Sequence, residues 1–477
     1  MPVSPARQAA YRILCGVEAG RGFAVDLLQG RGVSHLQDVD RRLATELVMG
    51  TLRWRGELDF QIELLSGRRL DRLDPEVVTI LRLGVYQVRF LEKIPKAAAV
   101  NDAVEITKAA RKRSAAGLVN AVLRKCEPPG SRFTRTRFED LDVEARASVE
   151  RVVPPWLFRR WAARAWGVDR ERNGASHHRT KGAQGPEAGI EVARRLAWMS
   201  TQVAPTTLRV GGGKAELEAL QRELAEEGVR ARPGQFSPRA LVVESGNVQA
   251  SPALPKAREH GPTAIQDEAS QLVGELLGPR AGQRVLDLCA APGIKAGQIA
   301  QALGCGTLVA CDVSTARLRT LARLLPQLVP PAVRLHLVRL DARQGLPFGA
   351  SFDRILLDVP CSGTGTLARN PESKWRLLPR DIPRFATAQK EMLKSALPLV
   401  APGGRLVYAT CSLEPEENEE VIEAVMEEVR GYRVLSPPEL APEYPTVSAL
   451  LDARGFLHTR PDLHAMDGFF AAVIARI

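Results

Sequence analysis

"RVLDLCAAPGIKAGQIAQAL", residues 284–303, runs from an apolar stretch through a turn of small residues into a helical pattern. Val285 to Leu288 has the character of a buried strand, and the sequence after the turn repeats at helical spacing. Further on, "TLVACDV", "RLHLVRLD", "FDRILLDV" and "GGRLVYAT" are apolar strands separated by helical stretches, and "FFAAVIARI" closes the chain. Apolar strands alternating with helices predict a doubly wound, mostly parallel α/β sheet, Rossmann-like in plan, over 263–477.

In such a sheet a ligand binds beyond the C-terminal ends of the strands. The first strand ends in small residues, which let backbone N–H groups approach a ligand, and the helix that follows points its positive end at the same place. Asp312 ends the second strand, nineteen residues beyond Gly293, where an acid can take ribose hydroxyls. Asp341 ends the third and can receive the exocyclic amine of an adenine. The first turn lacks both GxGxxG and a P-loop lysine-serine pair, which argues against a dinucleotide or ATP and for S-adenosylmethionine.

Two cysteines stand at the mouths of later strands, Cys361 in "DVPCSGTG" and Cys411 in "YATCSLEP", each followed by serine and a turn. Carbon 5 of cytosine is a poor nucleophile, and adding a thiolate at C6 makes C5 enamine-like and able to attack a sulfonium methyl group. After transfer the C5 proton must leave and the thiol must be eliminated, so a second acid/base group is useful. Asp358, just before Cys361, is suited to hydrogen-bond the N3/N4 edge of the base and protonate the ring. Spacing alone leaves either cysteine as the nucleophile. Cys15, Cys126, Cys305 and Cys311 read as small buried hydrophobes.

The chain has 477 residues, too many for one core, and a formal charge of +11 that suggests a polyanionic partner. Residues 1–126 hold 21 Lys/Arg against 14 Asp/Glu, so +7 of that excess lies in about a quarter of the chain. "PEVVTILRLGVYQVRFL" and "SAAGLVNAVLRKC" show helical periodicity, so residues 1–130 are expected to form an all-α domain that breaks at "CEPPGSRF". Residues 131–195 read as a linker with a flexible insertion at 169–189, whose adjacent histidines have no partner at metal spacing. Residues 196–262, with "PTTLRV", "ALVVES" and "KAELEALQRELAEEG", read as a small α+β unit. No CxxC pair occurs and no metal is expected. The irregular cysteines, the lack of a signal peptide and the short apolar runs lead to the expectation of a cytoplasmic monomer with no membrane span. Arg111, Lys112, Arg113, Lys374 and Trp375 are the candidate contacts to such a polyanion, the cations for phosphates and the indole for stacking on a base, with a solvated face as the alternative for the charge cluster and a core role equally open for Trp375.

At these residues the chain resembles the NOL1/NOP2/Sun family of RNA cytosine-5 methyltransferases, most closely its bacterial ribosomal branch. "DLCAAPGIK", "DVPCSGTGTLARNPESKW" and "YATCSLEPEENEEVI" are similar to three of the family's motifs, in the same order; "GPTAIQDEASQLV" and "GFFAAVIAR" add to the match. "ELVMGTLRWRGELD", "ILRLGVYQVRFLEKIPKAAAVNDAVEI" and "GLVNAVLRK" resemble a NusB-like RNA-binding domain. The resemblance implies a class I methyltransferase domain that uses S-adenosylmethionine to methylate C5 of a cytosine, with 16S rRNA as the expected substrate. It implies Cys411 as nucleophile and Cys361 as the helper that releases methylated RNA. Cys289, Ala290, Ala291, Pro292, Gly293, Ile294, Lys295, Asp312, Asp341 and Asp358 would line the cofactor site, with Asp358 also facing the base. The chain departs from the family's pattern at Ile294, Ala368 and Glu372. The competing functions are a non-catalytic ribosome-assembly factor, methylation of another RNA such as tRNA, and methylation of a small molecule or protein.

Overall fold

The computed structural model describes residues 3–30, 32–128, 137–164, 186–260, 262–348 and 352–477, in two compact units. The helical unit takes the described residues up to Val203 together with Leu367–Leu377. Its first helices are Pro5–Glu18, Asp38–Ser66, Pro75–Phe90, Lys96–Ala109 and Ala116–Lys125. The start of Pro75–Phe90 follows from local chemistry. Proline at the first position sacrifices no needed donor, and the Asp74 side chain accepts from the Glu76 N–H at 3.0 Å. The apolar stripe Val77, Ile80, Leu81 and Val88 is buried as its periodicity predicts. Gly84 is needed there because a Cβ would lie 2.6 Å from Cδ1 of Leu123 on the Ala116–Lys125 helix.

Where the sequence suggests a linker over 131–195, the described residues form the helices Val143–Arg151, Pro155–Ala163 and Pro186–Met199. They bury Val149, Leu157, Trp161 and Leu196 within the helical unit. Arg151 bonds to the buried Glu57 at 2.7 Å, and Arg194 pairs with Glu150 at 2.6 Å. The aromatic "PPWLFRRW" segment is therefore part of a core, and periodicity over a nine-residue helix is too short to announce it. The insertion read at 169–189 lies outside the described residues up to 185.

The second unit contains two sheets. The smaller is made of β1 (Thr207–Arg209), β2 (Arg230–Pro233), β3 (Ala240–Ser245) and β4 (Ala264–Ile265), ordered β2-β3-β1-β4 and antiparallel throughout. The Lys214–Glu226 helix covers it with Leu217, Leu220 and Leu224. The larger has β5 (Arg284–Asp287), β6 (Gly306–Asp312), β7 (Val333–Arg339), β8 (Phe352–Asp358), β9 (Val400–Thr410), β10 (Tyr432–Val434), β11 (Leu457–His458) and β12 (Phe470–Arg476). Its order is β10-β12-β9-β8-β5-β6-β7, with β11 paired to β12. Strands β5 to β9 are parallel, and β12 runs antiparallel beside β9.

Side-chain alternation splits the core into two layers. Val285, Leu356, Val407 and Ala409 face the Glu268–Leu277 and Ile294–Leu303 helices. Leu286, Ile355, Leu357, Leu406 and Tyr408 face Asp381–Ala396 and Glu419–Glu428. The chain goes from β5 outward to β6 and β7, then returns to the other side of β5 with β8. This reversal opens a crevice at the C-terminal ends of β5 and β8, where Asp287 and Asp358 stand. Among the described residues no helix is long and apolar enough to cross a membrane.

Candidate active site

Four carboxylates end or follow the central strands: Asp287, Asp312, Asp341 and Asp358. Gly293 caps the helix after β5 at φ +113°, a left-handed conformation in which a Cβ would also sit 2.8 Å from Cδ1 of Leu321. Ala290 and Ala291 are buried beside it, Pro292 is exposed and Ile294 is half-buried. Lys295 follows on the first turn, its Nζ 2.8 Å from Oδ2 of Asp358 and 5.0 Å from the centre of the Phe469 ring. Burial works against its charge, but Asp358, then Cys411 and Asp287, raise its pKa above the ordinary lysine value.

Asp312 is buried at the end of β6, where Oδ1 accepts from the Ser314 N–H at 2.8 Å and Arg317 Nε lies 3.5 Å from Oδ2. Arg317 also donates to the Ala291 carbonyl at 3.0 Å, tying the two strand ends together. Asp341 is bound in a fork by Arg343, 2.6 Å at the closest, and that hydrogen bonding lowers its pKa. Cys289 is a half-buried thiol; burial and then the charges of Asp287, Asp358 and Asp312 hold its pKa well above the usual range, so it stays neutral.

Asp287 was missed in the sequence because an acid inside "VLDLC" reads as the end of an apolar strand. It is fully buried, and among the described residues neither carboxylate oxygen has a hydrogen-bond partner. The Cys289 main-chain N–H favours its charge. Burial first, then Asp358, push its pKa up to about 7 against the pull of the Lys295 ammonium. A buried acid without a donor requires an explanation. The orphan oxygens, the glycine cradle and the Asp312 carboxylate at the next strand end together fit the ammonium and ribose of S-adenosylmethionine.

The two cysteines meet. Cys361 follows β8, Cys411 follows β9, and their sulfurs are 3.3 Å apart as free thiols. The hydrogen bond to Cys411 is the largest cause holding the Cys361 pKa well above normal, followed by burial, and either sulfur can donate to the other. Of the four cysteines read as buried hydrophobes, Cys126 and Cys311 are buried and Cys15 is partly so. Cys305 is exposed, because it lies in the turn between the Ile294–Leu303 helix and β6 and not on the strand.

The expected RNA contacts divide. Arg111 and Arg113 are exposed on the helical unit, while Lys112 pairs with Asp74 and, at 3.3 Å, with Glu76. Lys374 offers no cation to RNA. It is 0% exposed, and its ammonium donates to the Arg53 carbonyl at 2.9 Å and to Ser200 Oγ at 3.2 Å. Trp375 donates Nε1–H to the Leu52 carbonyl at 3.3 Å and packs beside Gly56, so its ring is held by the helical unit. Glu372, one of the departures from the family pattern, is buried there as well and accepts from the Ala24 N–H at 2.5 Å. The four-residue helix Ser373–Arg376 thus serves the packing of the helical unit.

Comparison with known proteins agrees with this geometry. Residues 275–475 match the family model for the 16S rRNA methyltransferase RsmB/F, and residues 4–128 match the NusB family. The ribosomal RNA small subunit methyltransferase B of Pseudomonas putida is 32% identical over 476 residues, covering 99% of this chain and 98% of that protein. The protein of the same name from Escherichia coli O127:H6 is 30% identical over 460 residues, covering 94% and 95%. The crystal structure of PH0851 shares the fold, with a TM-score of 0.74 at 23% identity and 99% coverage of each chain. Matched from end to end at this level, with a NusB-family domain preceding a doubly wound sheet, the chain belongs to the RsmB/F family of 16S rRNA methyltransferases.

Proposed function

We propose that the protein methylates C5 of a cytosine in RNA, with small-subunit rRNA as substrate, through a transient bond between Cys411 Sγ and C6 of the base. The observation that carries this reading is the pair of sulfurs 3.3 Å apart, with the Lys295–Asp358 ion pair at the neighbouring strand end. A methyltransferase acting on an amine or hydroxyl has no use for two such thiols. When bound, S-adenosylmethionine supplies an electrophilic methyl group on its sulfonium. Asp287 would take its ammonium and Asp312 its ribose, with residues 289–295 against the methionine portion.

The chain's own groups do the rest. Cys411 gives its proton to water and adds to C6 as the thiolate, while Cys361 keeps its own proton. Asp358, already accepting from Lys295, is placed to accept from the cytosine N4 amine, and the Lys295 ammonium is the proton source for N3 as the ring gains electrons. This refines the expectation that Asp358 itself protonates the ring, since a carboxylate so paired accepts hydrogen bonds. After transfer, loss of the C5 proton to water forms the C5–C6 double bond and expels the Cys411 thiolate, which the Cys361 thiol receives with a hydrogen bond, and N3 returns its proton to Lys295. The base must leave its stack to enter the crevice, at about a few kcal/mol, less in a loop or single strand.

Transfer of labelled methyl groups to small-subunit rRNA tests the assignment. Cys411→Ala should lose about a thousandfold or more of the activity, as expected on deleting a nucleophile. Cys361→Ala should accumulate a denaturation-resistant protein–RNA adduct. Full activity in Cys411→Ala would refute the assigned roles, and methylation mapped to a position other than C5 would refute the chemistry.

A further inference from the structure

Glu417 lies in an acidic run, "EPEENEE", yet its side chain is fully buried. Its carboxylate is the meeting point of the two cysteine-bearing turns. Oε1 accepts from the main-chain N–H of Ser362 at 2.8 Å and from Gln389 Nε2 at 3.1 Å. Oε2 accepts from the hydroxyl of Ser412 at 2.5 Å and from that of Ser362. Ser362 follows Cys361 directly, and Ser412 follows Cys411. Gln389 also donates to the Pro360 carbonyl at 2.9 Å, so the residues on both sides of Cys361 are held by this one cluster.

The next residue does the same for the other turn. Asn418 accepts from Thr410 Oγ1 at 2.5 Å and donates to the Ser412 carbonyl at 2.9 Å, bracketing Cys411. A buried carboxylate costs several kcal/mol unless donors surround it, and four donors do. Such a group stays buried only where its geometry is used, and here its geometry is the spacing of two turns.

We propose that Glu417 is a positioning residue for the sulfur pair: by tying Ser362 to Ser412 it sets the separation of Cys361 from Cys411 on which release of methylated RNA depends. The inference rests on the covalent reading above. In the release step the C5–H pair becomes the C5–C6 π bond, the proton goes to water, and the C6–S pair returns to Cys411. The Cys361 S–H stabilises that thiolate only from hydrogen-bonding distance. Glu417→Gln puts an amide N–H against donors and loosens the clamp without changing its size.

Two measurements on the full chain test this. First, the protein–RNA adduct of Glu417→Gln should decay about tenfold more slowly than that of wild type, the effect of one lost hydrogen bond to a charged group. Second, in the absence of RNA, diamide should oxidise the two thiols to a Cys361–Cys411 disulfide, taking up two electrons and two protons. Mass spectrometry should show this reaction slowed about tenfold in Glu417→Gln, since closure needs the sulfurs in contact. Should Glu417→Gln fail to fold, Ser362→Ala and Ser412→Ala each remove one donor and are expected to shift both readouts in the same direction. A folded variant with wild-type adduct decay and wild-type disulfide formation would overturn the proposal, as would equal loss of methyl transfer and adduct decay with the disulfide rate unchanged. If Cys361→Ala forms no adduct, the covalent reading fails, and the disulfide rate still decides whether Glu417 sets the sulfur separation.

Discussion

Lys295 and Lys374 are both withdrawn from solvent, in different units of the molecule, and their pKa values move in opposite directions. The Lys295 ammonium faces the Asp358 carboxylate at 2.8 Å, with Asp287 and Cys411 adding to the field, and its pKa rises despite burial. Lys374 donates to a carbonyl and a hydroxyl and lies 5.9 Å from the centre of the Trp375 ring, and burial, then the charge of Arg53, drives its pKa well below the ordinary value. Burial alone discharges a lysine; opposite charge at contact distance restores it. The first is thus equipped to supply a cation at the strand ends. The second acts as a long buried tether inside the helical unit.

The sharpest way to break this contrast is Lys295→Met. Methyl transfer should fall about a hundredfold or more, the usual loss when a charged stabilising group is removed from a reaction centre, with far-ultraviolet circular dichroism unchanged. Retained activity would mean that the ammonium is not used. Lys374→Ala should act on stability instead. It leaves the Arg53 carbonyl without its donor and opens a cavity, for about 2–4 kcal/mol in urea unfolding, and Lys374→Met should recover much of that loss.

Proton linkage separates the two lysines further. The folded pKa of Lys374 lies below the unfolded value, so the unfolded chain binds the extra proton. Wild-type stability should therefore rise with pH up to the ordinary lysine value of 10.5, and fall as pH drops toward the folded pKa. Lys374→Met should show a shallower rise in pH-dependent urea unfolding.

A smaller effect is expected at Asp287, whose pKa of about 7 leaves it partly protonated at neutrality. Its stability contribution is present at acid pH, below the unfolded carboxylate range, and is lost as pH rises through about 7. An arriving ammonium should expel the proton, so calorimetry in buffers of different ionisation enthalpy should register release of about half a proton at pH 7 on S-adenosylmethionine binding. Affinity should then increase as pH rises through neutrality. Asp287→Asn should abolish the release, and Lys295→Met should move the midpoint upward by removing the nearby positive charge.

The smallest change extends the comparison to a surface lysine. Lys112 is already paired with Asp74 and Glu76, so Lys112→Ala should barely alter RNA affinity. Arg111→Ala with Arg113→Ala should reduce the dependence of log affinity on log salt by about one to two.

Much of the fold was legible because it rests on periodicity. The apolar runs in "FDRILLDV" and "GGRLVYAT" announced strands buried on both faces, and the Pro75–Phe90 helix was readable from its stripe and its cap. At the site, Cys361, Cys411, Asp312 and Asp358 stood out as reactive groups at strand ends. An aromatic-bearing helix was readable in "VVPPWLFRRWAARAW", but the packing of the helices after residue 137 into one core was not, since short amphipathic segments gain their stability from packing against partners distant in sequence. Nor did any spacing separate Glu417 from Glu414, Glu416 or Glu419, or mark Lys374 as buried. Their environments are set by residues tens to hundreds of positions away, Ser362 and Gln389 for one, Arg53 and Ser200 for the other.

The chain's own order of residues determined the layered sheet, the strand-end chemistry and the pairing of a helical domain with a catalytic one, because these depend on local pattern and on the kinds of side chain present. Only the tertiary structure decided in which direction each buried lysine's pKa moves, that the two thiols meet, and which acid binds the two turns together. Those outcomes depend on distances of a few ångströms between groups far apart in sequence, where a change of partner reverses the sign of a pKa shift.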